Sequence, residues 1–353
     1  MYTSIARGER RSGSISDPVL SVMKGWCVMA EARAFWLSAP GVGEIRPVHL
    51  PEPRASDVVV RTLRSAVSRG TESLIFRGGV PPSQYAAMRA PYQDGDFPAP
   101  VKYGYLNVGV VEQGPPDLRD RTVFCLYPHQ TRYVVPSAAV VVVPDGVPVG
   151  RAVLAGTVET AVNALWDAKP LVGDRVAVVG AGMVGCSIAR LLRGFPGVRV
   201  TLVDVDPARA DVAAALGVDF AAPEGAAGAC DLVVHASATS SGLQLSLDLL
   251  GAEGTVIDLS WYGDTQVTLS LGGTFHSGRL GIRASQVGAV SAARRGRRSH
   301  RDRMTLALEL LRDSAFEALL TGCSRFEELP EVMPRLADGR LPALCHTITY
   351  DEE

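Results

Sequence analysis

The 353-residue chain is predicted to be an α/β protein in which a doubly wound parallel sheet follows a β-rich segment. Three observations carry that expectation. From residue 174 to about 285, strand-length apolar runs alternate with segments of helical spacing. A Gly-x-Gly-x-x-Gly turn, residues 180–185, joins the first of these runs to its helix. Ahead of it, residues 31–150 are short runs rich in Val, Phe and Tyr, bounded by Gly, Pro and Asp, as in a compact β unit.

The elements follow in chain order. "ARAFWLSAPG", "DVVVRTLRSAVSRG", "GVVEQGP", "RTVFCLYP" and "TRYVVPSAAVVVVPDG" read as strands and their turns. Residues 151–168 have helical apolar spacing and stop before Pro170. "DRVAVVGAG" is a buried strand entering the glycine turn, and "MVGCSIARLLRGF" is the helix that leaves it. "VRVTLVDVD", the helix "PARADVAAALG", "CDLVVHAS", "GLQLSLDLLGAEG", "GTVIDLS" and "RLGIRAS" continue the alternation. Strands that are apolar on both faces indicate a parallel sheet covered by helices. "RMTLALELLRD" then reads as a helix, and "ALCHTITY" as a strand returning to the first unit.

Composition narrows the function. The chain is 47% hydrophobic with a formal charge of −2, which gives no general attraction to nucleic acid or to a membrane surface. No apolar run reaches the length of a membrane span. The six cysteines are scattered without a Cys-x-x-Cys pair, the pattern of a reducing cytoplasm. Lysine occurs only at positions 24, 102 and 169, so arginine counts carry little weight on their own. Residues 1–30 are polar and basic and read as a disordered tail. Met29 stands directly before "AEARAFWLSAPG" and is an alternative start to Met1.

The glycine turn is the first functional signal. Gly180 permits the tight turn, Gly182 lets backbone approach a pyrophosphate, and Gly185 allows close helix–strand packing. Met183 and Val184 open the helix whose N-terminus faces the phosphate charge. Asp204 closes the second strand, where a carboxylate binds the ribose 2′-hydroxyl and repels a 2′-phosphate. This favours NAD over NADP; Asp206 is the alternative acid. Cys186, just inside the helix, reads as packing.

With its β unit first, its nucleotide unit in the middle and a C-terminal return, the chain resembles the medium-chain dehydrogenase/reductase superfamily over residues 31–353. The likeness rests on "SRGTES" (68–73), "YGYLNVG" (103–109), "LAGTVETAVNAL" (154–165) and the glycine turn. It is most similar to the zinc-less branch that includes bacteriochlorophyllide a dehydrogenase, which shares Ser-x-Gly-Thr-Glu and a Gly-Tyr in place of Gly-His. The resemblance implies a GroES-like catalytic domain (31–155 and 296–353), a Rossmann domain (156–295), a homodimer and a small-molecule substrate. It also implies that the three zinc-ligand positions hold Arg69, Tyr105 and the Gly156–Thr157 region. None of these offers the thiolate or imidazole that zinc favours, so no metal is expected.

Without zinc, charge developing on a substrate oxygen must be met by hydrogen-bond donors or a fixed cation. Thr71 is in register with the hydroxyl that relays the alcohol proton in zinc relatives. Tyr105 is a candidate donor, Arg69 a candidate cation and Glu72 a candidate carboxylate. Tyr105 could instead only fill the space of the missing His, and Arg69 could only pair with Glu72 or Glu159. Lys102 is a weaker substrate candidate, expected to be exposed. Six arginines lie between residues 294 and 303 in a lengthened loop; Arg294 and Arg298 are candidates for holding an anionic substrate. The expected activity is hydride transfer between NAD(H) and a secondary alcohol or ketone. The rivals are a zinc-free enoyl or quinone reductase and a non-catalytic NAD-sensing protein.

Overall fold

The computed structural model describes residues 32–350, so the tail at 1–30 and both candidate start residues lie outside the described residues. The first unit comprises β1 (Ala32–Ala39), β2 (Val42–Val48), β3 (Asp57–Val67) and helix α1 (Arg69–Phe76). It continues with the short β4 (Asp94–Gly95) and β5 (Val101–Lys102), β6 (Asn107–Gln113), β7 (Thr122–Cys125), β8 (Arg132–Pro136) and β9 (Val141–Val142). Helices α2 (Val149–Ala152) and α3 (Ala155–Ala168) lead out of it. The second unit contains β10 (Arg175–Val179), α4 (Met183–Leu192), β11 (Arg199–Val203), α5 (Arg209–Leu216) and β12 (Asp219–Ala221). Its other half is β13 (Cys230–His235), α6 (Ser240–Asp248), β14 (Leu250–Asp258), α7 (Thr274–Ser277) and β15 (Gly281–Ala284). The chain then forms α8 (His300–Leu310), β16 (Leu320–Arg325), α9 (Leu329–Ala337) and β17 (Cys345–Thr349).

The second unit is a six-stranded sheet in the order β12-β11-β10-β13-β14-β15, with every pair parallel. Strand order reverses between β10 and β13, and the crevice at that point, outside the strands' carboxyl ends, is where such sheets bind ligands. The period-2 alternation explains the double winding. Val176 and Val178 of β10 join one apolar cluster with α4 and α8, while Ala177 and Val179 join another with α6. Full burial of one such valine contributes about 1.5–3 kcal/mol relative to exposure.

The first unit is built on the sheet β16-β17-β3-β6-β7-β9, with β8 also paired to β3, beside the smaller sheet β2-β1-β5-β4. The C-terminal return occurs as expected: β17 runs antiparallel to β3, with His346 opposite Val67. Three features differ from the sequence reading. The helix expected over 151–168 is broken into α2 and α3. The segment after Val67 turns helical as α1 instead of extending the strand. β16 and α9 form where no element was expected. Among the described residues no helix is long and apolar enough to cross a membrane.

Candidate active site

The glycine turn sits at the carboxyl end of β10. Gly180 has φ +107°, and a side chain there would meet the Ser237 amide nitrogen at 2.7 Å. A side chain at Gly185 would strike the Gly180 carbonyl, so the helix packs tightly under its own turn. Gly182 faces open space. No side chain caps α4, leaving its first-turn amides at Met183 and Val184 available to an anion. This is the cradle that a dinucleotide's pyrophosphate requires, and the residues fit it.

Asp204 follows β11 and is already tied to that cradle. Its Oδ2 accepts the Ala181 N–H at 2.7 Å, and its Oδ1 accepts the Asp206 N–H at 2.9 Å. Each carboxylate oxygen keeps a further lone pair for a ribose hydroxyl. Asp206 is turned to Arg209, 3.3 Å away at the start of α5. Cys186 is fully buried, and burial pushes its thiol up to about 12, as a packing residue requires.

Opposite this cradle stands α1. Burial lowers the pKa of the Arg69 guanidinium, as does the charge of Arg209, while Asp204 and Asp206 oppose the shift. Arg69 therefore feels the charges at the start of the nucleotide unit. The two alternative pairings expected for it do not form, because Glu72 bonds to His129 and Glu159 to the fully buried Arg303 at 3.0 Å. At its other end α1 meets the segment after β14: a side chain at Gly263 would strike Leu74 and the Gly79 carbonyl. Its C-terminal end thus packs beside the segment that follows β14.

Tyr105, Ser68 and Thr71 converge at the N-terminus of α1. The Tyr105 hydroxyl donates to Ser68 Oγ at 2.7 Å. Burial and the Glu72 charge push the phenol up to about 12, against the opposing pull of the Ser68 and Thr71 hydroxyls. Ser68 stands at the N-cap position, but its hydroxyl does not cap the helix. Glu72 does that work instead, accepting the Ser68 N–H at 2.8 Å through Oε1. The other Glu72 oxygen accepts from His129 Nε2 at 2.9 Å. His129 Nδ1 lies 2.7 Å from Ser65 Oγ, which lies 2.8 Å from the Tyr350 hydroxyl.

Where the resemblance implies a third zinc ligand, packing leaves no room: a side chain at Gly156 would meet Leu106 Cδ2 at 2.6 Å. Arg69, Tyr105 and Gly156 together supply no thiolate, imidazole or carboxylate, so they do not fit zinc. Among the described residues no group of three or more His, Cys, Asp or Glu is gathered as a metal site.

One substrate candidate needs correction. Lys102 is not exposed. It is 5% accessible, bonded to Gln130 Oε1 at 3.0 Å, and set over the rings of Trp36 and Tyr127 at 5.9 and 5.7 Å. Burial lowers its pKa, with Asp94 opposing. Its partners belong to the smaller sheet and its neighbours, and none is in the Tyr105 cluster. The arginine run also divides. Arg303 holds Asn163 Oδ1 and the carbonyls of Val287 and Ala289, and Arg301 holds those of Ala138 and Val140. These two anchor the loop, while Arg294 and Arg298 are exposed on it.

Sequence reasoning missed Ser68, His129 and a group on the nucleotide side. His235 ends β13 and is fully buried. Its Nδ1 lies 2.9 Å from Asp258 Oδ1, and its Nε2 lies 2.7 Å from Ser237 Oγ. The pairing of β13 with β14 sets His235 directly opposite Asp258.

No known family's sequence pattern matches the chain, and no curated protein does. Solved structures do. A Sinorhizobium meliloti protein described as a zinc-binding dehydrogenase, bound to NADP, superposes with a TM-score of 0.71 at 16% identity, covering 91% of this chain and 99% of its own. An alcohol dehydrogenase of Escherichia coli in complex with NADH gives 0.70 at 17%, covering 90% and 99%. The 2R,3R-butanediol dehydrogenase of Bacillus subtilis gives 0.72 at 14%, covering 91% and 100%. The chain has the fold of these dehydrogenases along nearly their whole length, a Rossmann sheet joined to a GroES-like β unit.

Proposed function

We propose that the protein is a metal-independent oxidoreductase moving hydride between NAD(H) and a secondary alcohol or ketone. The observation that carries this reading is a complete dinucleotide cradle in a chain that also gathers the hydroxyls of Tyr105, Ser68 and Thr71 at one helix end. The similar structures bound to NADP or NADH support a nicotinamide cofactor. Asp204 favours NAD, since a 2′-phosphate beside it would meet like charge. Bound nicotinamide supplies the hydride acceptor or donor, and the chain supplies the rest. Gly182 and the first turn of α4 seat the pyrophosphate. Tyr105, held protonated near neutral pH, turns its one O–H from Ser68 to the substrate oxygen as charge develops there, with Thr71 as a second hydroxyl donor. Arg69 adds positive charge on the cofactor side of this cluster and does not replace the metal at the substrate oxygen. Exposed Arg294 and Arg298, on the loop leaving the carboxyl end of β15, favour an anionic substrate.

Fluorescence titration with NADH and NADPH, together with elemental analysis, tests this. We expect NADH to bind at least tenfold more tightly than NADPH, an order-of-magnitude figure for one charged contact, and no stoichiometric zinc to be found. One tightly held zinc per chain, or failure of both nucleotides to bind, overturns the reading.

A further inference from the structure

Hydride transfer from an alcohol also releases a proton, and the Tyr105 cluster does not take it. Tyr105 stays protonated near neutral pH, and α1 carries no imidazole. His129 is 1% exposed and closed off between Glu72 and Ser65.

His235 is placed differently. Ala236 donates its N–H to the Val179 carbonyl, and Ser237 abuts Gly180, so the residues after β13 form one wall of the crevice beside β10. Ser237 Oγ touches His235 Nε2 on one side and lies 3.0 Å from Thr239 Oγ1 on the other. Ser237 is half-buried and Thr239 exposed, so this hydrogen-bonded chain opens at the surface. Gly242 makes room for it, because a side chain there would strike both hydroxyls and approach Nε2 to 3.0 Å. Behind the ring, Asp258 accepts from His235 Nδ1, from the Ser260 amide at 2.9 Å and from the Tyr262 hydroxyl at 3.0 Å. Burial raises the pKa of this carboxyl, but the three hydrogen bonds outweigh it and hold it below its ordinary value. The titratable groups facing His235 are therefore Asp258 and Tyr262. β10 presents Val179, and α6 presents Gly242 beneath its Thr239 cap.

We propose that His235, backed by Asp258 and reached through the hydroxyls of Ser237 and Thr239, is the proton-exchanging group of this cleft, so that its charge is linked to that of the bound nicotinamide. This rests on the oxidoreductase reading above. In the oxidising direction the alcohol carbon gives up hydride with its electron pair, and the O–H proton is released into the cleft as the carbonyl forms. Ser237 passes its own proton to His235 Nε2 and regains one from the cleft side. The imidazolium keeps its Nδ1–H on Asp258, which stays ionised and positions the ring. Reduction runs the same transfers backwards.

The test needs no substrate, only the full chain with NAD+ and NADH. An imidazolium in the crevice repels the cationic nicotinamide of NAD+ and is indifferent to the neutral ring of NADH. We expect NAD+ affinity to rise about five- to tenfold as the pH is raised from 6 to 9, with NADH affinity constant within about twofold. Tyr105 and Cys186, both held at about 12, do not titrate in that window. His235→Gln should make NAD+ binding equally flat. Asp258→Asn, which removes the charge that favours the imidazolium, should move the midpoint down by about one pH unit. NAD+ binding as insensitive to pH as NADH binding, or wild-type pH dependence in His235→Gln, overturns the inference. Should that variant not fold, an unmoved midpoint in Asp258→Asn overturns it. Failure of both nucleotides to bind at any pH fells the cofactor reading and the relay with it.

Discussion

Among the described residues there are two buried imidazole–carboxylate pairs, one in each unit, with nearly the same geometry and different connections. His129–Glu72 and His235–Asp258 both close at 2.9 Å. The first is sealed: Glu72 is 5% exposed, and the far side of His129 leads to Ser65 and Tyr350. It ties α1, the loop at residue 129, β3 and Tyr350 just after β17 into one block. The second opens through Ser237 to an exposed threonine beside the cofactor cradle. An ion-pair distance alone therefore says nothing about role. What each imidazole's second nitrogen touches separates a brace from a relay.

The sharpest way to break that distinction is to compare stabilities. Replacing His129 with Ala leaves the Glu72 carboxylate buried without its partner, which costs about 3–5 kcal/mol. Asp258 keeps the Ser260 amide and Tyr262 hydroxyl when His235 is changed, so His235→Gln should cost clearly less. Urea unfolding of the two variants checks this. Equal losses would mean that both pairs are braces, whatever surrounds them.

Tyr105→Phe sharpens the contrast from the substrate side. It removes the donor but leaves the ring that packs against Tyr103. Turnover should fall about 100-fold, the scale of one lost transition-state hydrogen bond, with NADH affinity unchanged. Activity within about twofold of wild type would return Tyr105 to the role of filler for the missing His.

Legibility in the sequence followed range. The nucleotide sheet was legible because its signal is local: β10, the glycine turn, α4 and Asp204 lie within thirty residues. α1 was missed because its cap is not built from the usual signal. The Ser68 hydroxyl accepts from Tyr105, 37 positions away, and Glu72 reaches back to cap the helix instead. α9 carries Pro334 inside it, and β16 reads Leu-Thr-Gly-Cys-Ser-Arg, with little apolar pattern to announce a strand. Both histidine pairs join residues distant in the chain, 57 and 23 positions apart, and no periodicity reveals a pair made by tertiary contact. Lys102 was misjudged because a lone lysine reads as surface, whereas Trp36 and Tyr127 cover it.

A third experiment moves to the cofactor wall. Asp204→Ala should shift the preference between NADH and NADPH by about 1–3 kcal/mol toward NADPH. Asp204 also holds the Ala181 amide, so both nucleotides should lose some affinity. If only the common loss appears, Asp204 shapes the turn and does not read the ribose. Cofactor choice then passes to Asp206 or to Arg209 and Arg69 beside it.

The smallest effect is expected from the exposed arginines, and it separates them from their buried neighbour. Arg303 binds Glu159, Asn163 and two loop carbonyls, so its loss should unfold the loop and disturb everything near it. Arg294 and Arg298 have no comparable anchor and act, if at all, through solvent. An exposed charge contributes about 0.2–1 kcal/mol. Replacing both with Ala should therefore raise KM for an acidic substrate about two- to tenfold at low ionic strength and leave NADH binding and thermal stability unchanged. The difference from wild type should shrink as salt is added, because the Debye length falls to about 8 Å near 0.15 M. A neutral best substrate, or a KM that ignores both salt and the double substitution, would make this stretch of loop an ordinary solvated surface. Arg303 would then be the arginine of the run that matters, through the shape it gives the loop.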